Sequence, residues 1–289
     1  MGFSSIDDLV NEMTGGKFWR IEWNKITGST AYTAGRWYDM SILNGTPVAN
    51  TYSGTSLTAT QLTDTSTGAM WHGGNVSPDT KHIVNAGVYS AVSTAVPGVW
   101  LICDFLLFYP GINMNSSSVQ TLSNPVGLPR YTDGKGVMAF LVVTTTTGAT
   151  AHNFSMSYTN QAGTSGRSLP VTVACTASAI VGHITHSGTA ANNYGPFLPL
   201  ASGDYGIRSV QSVQLSAASG AGTACLVLCK PLCAIPIVSA SVASERDFLN
   251  QLPSLPRVQD GAFLGLLFFA GAATAASSNI YGYIEVAWG

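Results

Sequence analysis

The residues best able to do chemistry in this chain are its five histidines and five cysteines. Three cysteines recur as Cys225-x3-Cys229-x3-Cys233, and His183 and His186 supply two imidazoles of the kind zinc takes. The spacing argues against zinc. Strand residues four apart share a face but lie about 13 Å apart, too far for one metal or a disulfide. Residues three apart face opposite ways, and no Cys-x2-Cys pair occurs. The cysteines are expected as small buried hydrophobes. His72, His82, His152, His183 and His186 are expected as structural or surface residues rather than catalytic bases. Serines abound, yet no Gly-x-Ser-x-Gly marks a nucleophile turn. The fourteen acids are scattered, which does not suit the paired carboxylates of sugar cleavage. Dinucleotide and P-loop glycine patterns are also missing. The sequence predicts no catalytic residue, no metal and no cofactor, hence no enzyme.

A repeated block sets the frame in which these residues sit. Leu128-Pro129-Arg130-Tyr131-Thr132-Asp133-Gly134 returns as Leu255-Pro256-Arg257-Val258-Gln259-Asp260-Gly261, 127 positions later, and each copy leads into an apolar run. The segment ahead of each copy matches at an offset of 126, Leu101–Pro110 against Val227–Pro236. Such self-similarity predicts two versions of one module. Proline holds the preceding leucine extended, and Asp133-Gly134 and Asp260-Gly261 read as turns in which glycine takes positive φ. Arg130 and Arg257 each stand three residues before their aspartate, close enough to pair across the turn. Leu128 should superpose on Leu255, Asp133-Gly134 on Asp260-Gly261, and Cys103 on Cys229.

Composition narrows the setting. Only 9% of residues are charged, against a usual level of about 25%, while 46% are hydrophobic. Disorder needs the reverse balance. The apolar runs, such as Val99 to Phe108, are too short to span a membrane. Net charge is −2 with no basic cluster, which argues against nucleic-acid binding as a main role. The first residues carry neither a basic nor an apolar signal region, so no signal peptide is expected. A soluble monomer usually keeps more charge than this, whereas surface buried against neighbours does not need it.

Short strands between Gly, Pro, Asn and Ser turns, with little helix, predict an all-β protein. It should hold two tandem, internally duplicated β-sandwich or jelly-roll-like modules, residues 36–158 and 159–289, behind an N-terminal arm of residues 1–35. In the arm, Ile6, Leu9, Val10 and Met13 form one stripe of a short helix capped by Ser4 or Ser5. Trp19, Ile21 and Trp23 share one face of a following strand. Neither is stable alone, so the arm is expected to dock, most usefully on a neighbouring subunit. Alternation predicts strands at Phe154–Tyr158, Val210–Leu215, Ala224–Leu228 and Ile280–Trp288, and a second short helix at Ser244–Leu252. Asn192-Asn193-Tyr194-Gly195-Pro196-Phe197 carries the amides and aromatics of a surface ligand loop, with Asn192, Asn193, Tyr194 and Phe197 as its candidate residues.

In these features (the helical arm, the Trp19-Arg20-Ile21-Glu22-Trp23 strand, the Ser/Thr/Ala/Gly-rich modules with Leu128-Pro129-Arg130 and Leu255-Pro256-Arg257, and the closing Tyr283-Ile284-Glu285-Val286-Ala287-Trp288) the chain resembles virion proteins of tailed bacteriophages, especially head-decoration and cement proteins. The resemblance implies a capsid-stabilising structural protein located in the virion. It would be a homo-oligomer, with a trimer favoured, bound to the major capsid protein or other virion proteins, with no nucleic-acid or membrane partner. A tail or neck component, or a receptor- or carbohydrate-binding module, is the alternative.

Overall fold

Two long antiparallel strands run through the middle of the molecule, and every other element is placed by them. The structure, a computed structural model, describes residues 2–90, 92–251 and 255–289. In chain order the elements are α1 (Ile6–Thr14), β1 (Phe18–Ile26), β2 (Arg36–Asp39), β3 (Gly45–Thr46), β4 (Thr60–Gln61), β5 (Lys81–Ser90), β6 (Gly98–Asn113), β7 (Gln120–Thr121), β8 (Met138–Thr145) and β9 (His152–Asn160). There follow β10 (Arg167–Ser168), β11 (Val173–Cys175), β12 (Ile207–Leu215), β13 (Thr223–Ile237), β14 (Ser244–Asp247), α2 (Phe248–Gln251), β15 (Arg257–Val258), β16 (Phe263–Ala270) and β17 (Asn279–Trp288). The predicted second helix is thus a strand over its first four residues; Leu252 lies outside the described residues.

The long pair is β6 and β13, and the central sheet has the order β2-β16-β6-β13-β8, with β4 on β6. Its strands read as nearly unbroken apolar runs because both faces are buried. On one face, Trp100 and Ile102 of β6 join one core and Leu106, Leu107 and Tyr109 join another. Cys103, Phe105 and Phe108 point to the opposite face, against Tyr52, Leu62 and Ile184. The first core is closed by the sheet β14-β5-β17-β1-β3 and the second by the sheet β10-β9-β12-β7, joined by β11. The protein is therefore mostly β, with two covering sheets side by side on one face of a shared third sheet.

The expected division at 158/159 falls inside β9. Strands from the two halves pair with each other in every sheet: β6 with β13 and β16, β8 with β13, β5 with β17, β9 with β12. The halves are interwoven rather than consecutive. The two matched segments, Leu101–Pro110 and Val227–Pro236, pair with each other at the centre of the sheet. Leu101 faces Ala234 and Phe108 faces Val227; Phe105 faces Cys229 and Cys103 faces Pro231. Shifting one partner by 126 residues turns each pair into the other. Cys103 meets Gly265 of β16, and Cys229 meets Met138 of β8.

The N-terminal region is not an arm. β1 pairs with β17 over nine residues, from Phe18↔Ala287 to Ile26↔Asn279. Ile21 and Trp23 are buried in the first core, with the Trp23 ring 4.9 Å from that of Trp100. Trp19, on the same face, lies beyond the edge of that core and is exposed. Helix α1, capped by the Ser5 side chain, lays Leu9 on Val84 and Ala287 with Met13 beside it. Its predicted stripe is split, because Ile6 and Val10 face solvent.

Candidate functional site

The repeated turns hold structure. Gly134 and Gly261 adopt φ of 72° and 69°, as turn glycines should. Leu128 is buried in the second core, and Leu255 packs against the first. The predicted Arg–Asp pairing across the turn is not what forms. Arg130 grips Asp104 of β6 through Nε at 2.8 Å and Nη2 at 2.6 Å, and Nη2 also donates to the carbonyls of Leu62 and Phe105. Burial pushes the Asp104 carboxyl up to about 6, against the opposing pull of the Arg130 guanidinium. Asp133 stays outside and pairs with Lys135 at 3.1 Å. Asp260 accepts from the backbone N–H groups of Val76 and Ser77, and Arg257 is exposed. The repeat supplies two turn frames of different chemistry, since Lys230 stands where Asp104 would recur.

The histidines and cysteines are also placed by packing. His72, His183 and His186 are fully buried, and burial lowers their pKa values to about 4, 3 and 4. His186 accepts the Leu141 N–H at Nε2 and binds the Tyr194 carbonyl through Nδ1. Lys81, itself buried, contacts His72 Nδ1 at 2.9 Å and donates to the His72 carbonyl at 2.7 Å. All five cysteines are buried and free. Cys225 and Cys229 share a face, but the bulge between Pro231 and Cys233 turns Cys233 into the first core. No group of three metal-ligating side chains gathers among the described residues.

The predicted ligand loop does not display its aromatics. Tyr194 packs against the second core and Phe197 against the opposite face of the central sheet. Asn193 is committed to the backbone, accepting from Ala190 N–H and donating to the Ala174 carbonyl. Asn192 remains exposed in a left-handed turn, φ 64°.

A surface not legible as a motif is the end of the first sandwich where β5 and β13 finish and β6 and β17 begin. Loops 27–35, 92–97, 238–243 and 271–278 close it. Thr27 N–H donates to Ser278, Tyr32 N–H to Thr274, Ser241 N–H to Ser90 and Gly271 N–H to Pro97. None of these four loops contains Asp, Glu, Lys or Arg. Val238 is 74% exposed and Val242 56%, with Val92 also exposed and Tyr89 and Tyr281 facing each other on the adjoining outer sheet face. Exposed apolar side chains on loops that contain no charged residue are the composition found at the centre of protein interfaces, where charges that would have to be desolvated are depleted.

No protein-family model matches the chain, and no curated protein matches it. Among solved structures it is similar to the "Structure of infectious bursal disease virus Gx strain", at 12% identity over 94% of this chain and 80% of that chain, with a TM-score of 0.18, a value too low to carry any argument about fold or function.

Proposed function

We propose that this chain is a non-enzymatic structural protein of a virion, a decoration or cement component on the capsid of a tailed bacteriophage. The observation that carries the reading is the end whose four loops contain no Asp, Glu, Lys or Arg, with Val92, Val238 and Val242 exposed there and Tyr89 and Tyr281 on the adjoining sheet face. Such a surface supports permanent burial against the major capsid protein or another copy of the chain. The register symmetry about β6 and β13 supports an internal duplication, here folded around a shared sheet. A homotrimer of such a chain presents six related halves about one axis, which suits a capsid lattice. Modest contacts at many equivalent sites then hold by avidity.

The test pairs a Val238→Asp/Val242→Asp variant with native mass measurement and copy number per particle. The native chain should be a closed oligomer present at many copies, and the variant a folded monomer that fails to attach. A native monomer with no particle association defeats the reading. A few copies at one vertex move it to the tail or neck. That second reading, including a receptor- or carbohydrate-binding module, is favoured by a polar groove on the other sandwich.

A further inference from the structure

We propose that the outer face of the sheet β10-β9-β12-β7 is a binding groove for an oligosaccharide that bears a carboxylate, an inference that deepens the carbohydrate-binding reading and rests on it. Three depressions of about 340, 440 and 460 Å³ run along this face. They are continuous, because the first and second share Ser155, Thr172 and Gln214, and the second and third share Asn153 and Ser216. Each lies within the size range of small-ligand sites.

The floor follows from strand alternation. On β9, Phe154, Met156 and Tyr158 enter the core, which turns Asn153, Ser155 and Ser157 outward. On β12 a bulge between Val210 and Ser212 resets the alternation, so Ser212 and Gln214 lie outward, opposite Ser157 and Ser155. The groove is thus floored by hydroxyls and carboxamides, groups that both donate and accept hydrogen bonds. Exposed Val119 and Val171 stand at its rim, apolar surface of the kind the C–H faces of a sugar ring cover. The backbone of these strands is spent in the sheet, so an added strand finds nothing to pair with on this face. A polyhydroxylated chain finds a partner at every step.

The charge at one end selects the ligand further. No Asp, Glu or Lys lines any of the three depressions, and Arg36 is the one arginine, in the third. Among the described residues the Arg36 side chain has no salt bridge, unlike Arg20, Arg130 and Arg167. A guanidinium with a free fork is the group that takes a carboxylate in bidentate fashion.

The experiment titrates full-length protein with sialyllactose and with trigalacturonate, each against a neutral control, lactose and maltotriose, by protein-observed NMR and calorimetry. One carboxylated probe should bind at least ten times more tightly than its control, and which one does so separates a sialylated from a uronate-containing source. Arg36→Gln should remove that preference, and Ser157→Tyr should weaken carboxylated and neutral probes alike by obstructing the floor, with both variants retaining the native melting temperature. No binding of either carboxylated probe at millimolar concentration overturns the proposal, as does a preference unchanged in Arg36→Gln. Capture of a protein by this face in place of either sugar also overturns it. Particle association is measured in the same variants: its retention alongside lost sugar binding separates failure of the groove from failure of the virion reading.

Discussion

Asp104 and Lys230 lie directly opposite each other on β6 and β13, 126 positions apart, and the central sheet is arranged symmetrically about them. Two of the three register shifts obey the same relation, skipping Leu106 and Leu232, while the third, between Ala224 and Leu226, has no counterpart. The symmetry of backbone is not a symmetry of charge. Asp104 is gripped by Arg130, while Lys230 reaches the Lys135 carbonyl at 3.0 Å and lies 5.6 Å from the Tyr131 ring centroid.

Matching arginines should therefore differ sharply. Arg130→Ala leaves the Asp104 carboxylate buried without its partner and should cost about 3–5 kcal/mol. Arg257→Ala removes an exposed side chain and should stay within about 0.5 kcal/mol of the native protein. Urea unfolding of the two variants checks this; equal effects would show that the ion pair does not form.

Deleting residues 1–27 should unfold the first sandwich rather than release an arm. It removes β1 together with buried Ile21, Trp23 and Lys25, and Trp23→Ala alone should cost about 3–5 kcal/mol. Exposed Ile6 and Val10 are different: Ile6→Ser/Val10→Ser should leave stability within about 0.5 kcal/mol and reduce assembly only if α1 touches a neighbour. A folded, cooperative melt from the deletion variant would restore the arm.

Acid should destabilise the protein through its buried histidines. Burial holds His72, His183 and His186 at about 4, 3 and 4 against an ordinary 6.5. Their neutral forms are native, so the unfolded chain gains protons first and stability is lost as pH falls from 6.5 toward 4. At pH 5 each contributes a loss of about 2 kcal/mol. Asp104 acts the other way: raised to about 6 from 3.8, it returns about 1.4 kcal/mol between pH 7 and pH 5. The sum favours acid unfolding. Melting temperatures at pH 7 and pH 5 should show the drop, and His72→Gln, though less stable at pH 7, should show a smaller one. An unchanged pH slope in that variant contradicts the assignment.

The thiols should be silent in the native state. All five are buried, and burial raises the pKa of Cys175 to about 12 and pushes those of Cys103, Cys225 and Cys233 up as well. Thiolate is the reacting species, so Ellman's reagent should count no cysteines in native protein and five in denaturant. Rapid native labelling of any one of them would place it at the surface.

Local pattern was enough, from the sequence by itself, to establish the all-β class, the turns at Gly134 and Gly261, the inward set Phe154, Met156 and Tyr158, the closing strand β17 and the scarcity of charge. The scarcity of charge is composition; each of the others is decided within a few residues, by alternation or by the φ a glycine permits. The tertiary structure decided whatever depends on a partner distant in the chain. Periodicity says which face of a strand is buried but not against what, so Phe18–Ile26 read as an arm until it paired with Asn279–Trp288. Bulges are set by the neighbouring strand, so Cys233 left the face expected of it. Arg130 found Asp104, twenty-six residues upstream, rather than the nearby Asp133, because only the buried carboxylate needed a guanidinium to offset its desolvation. The charge-free end is dispersed over four loops and becomes one surface only when the sheets bring those loops together.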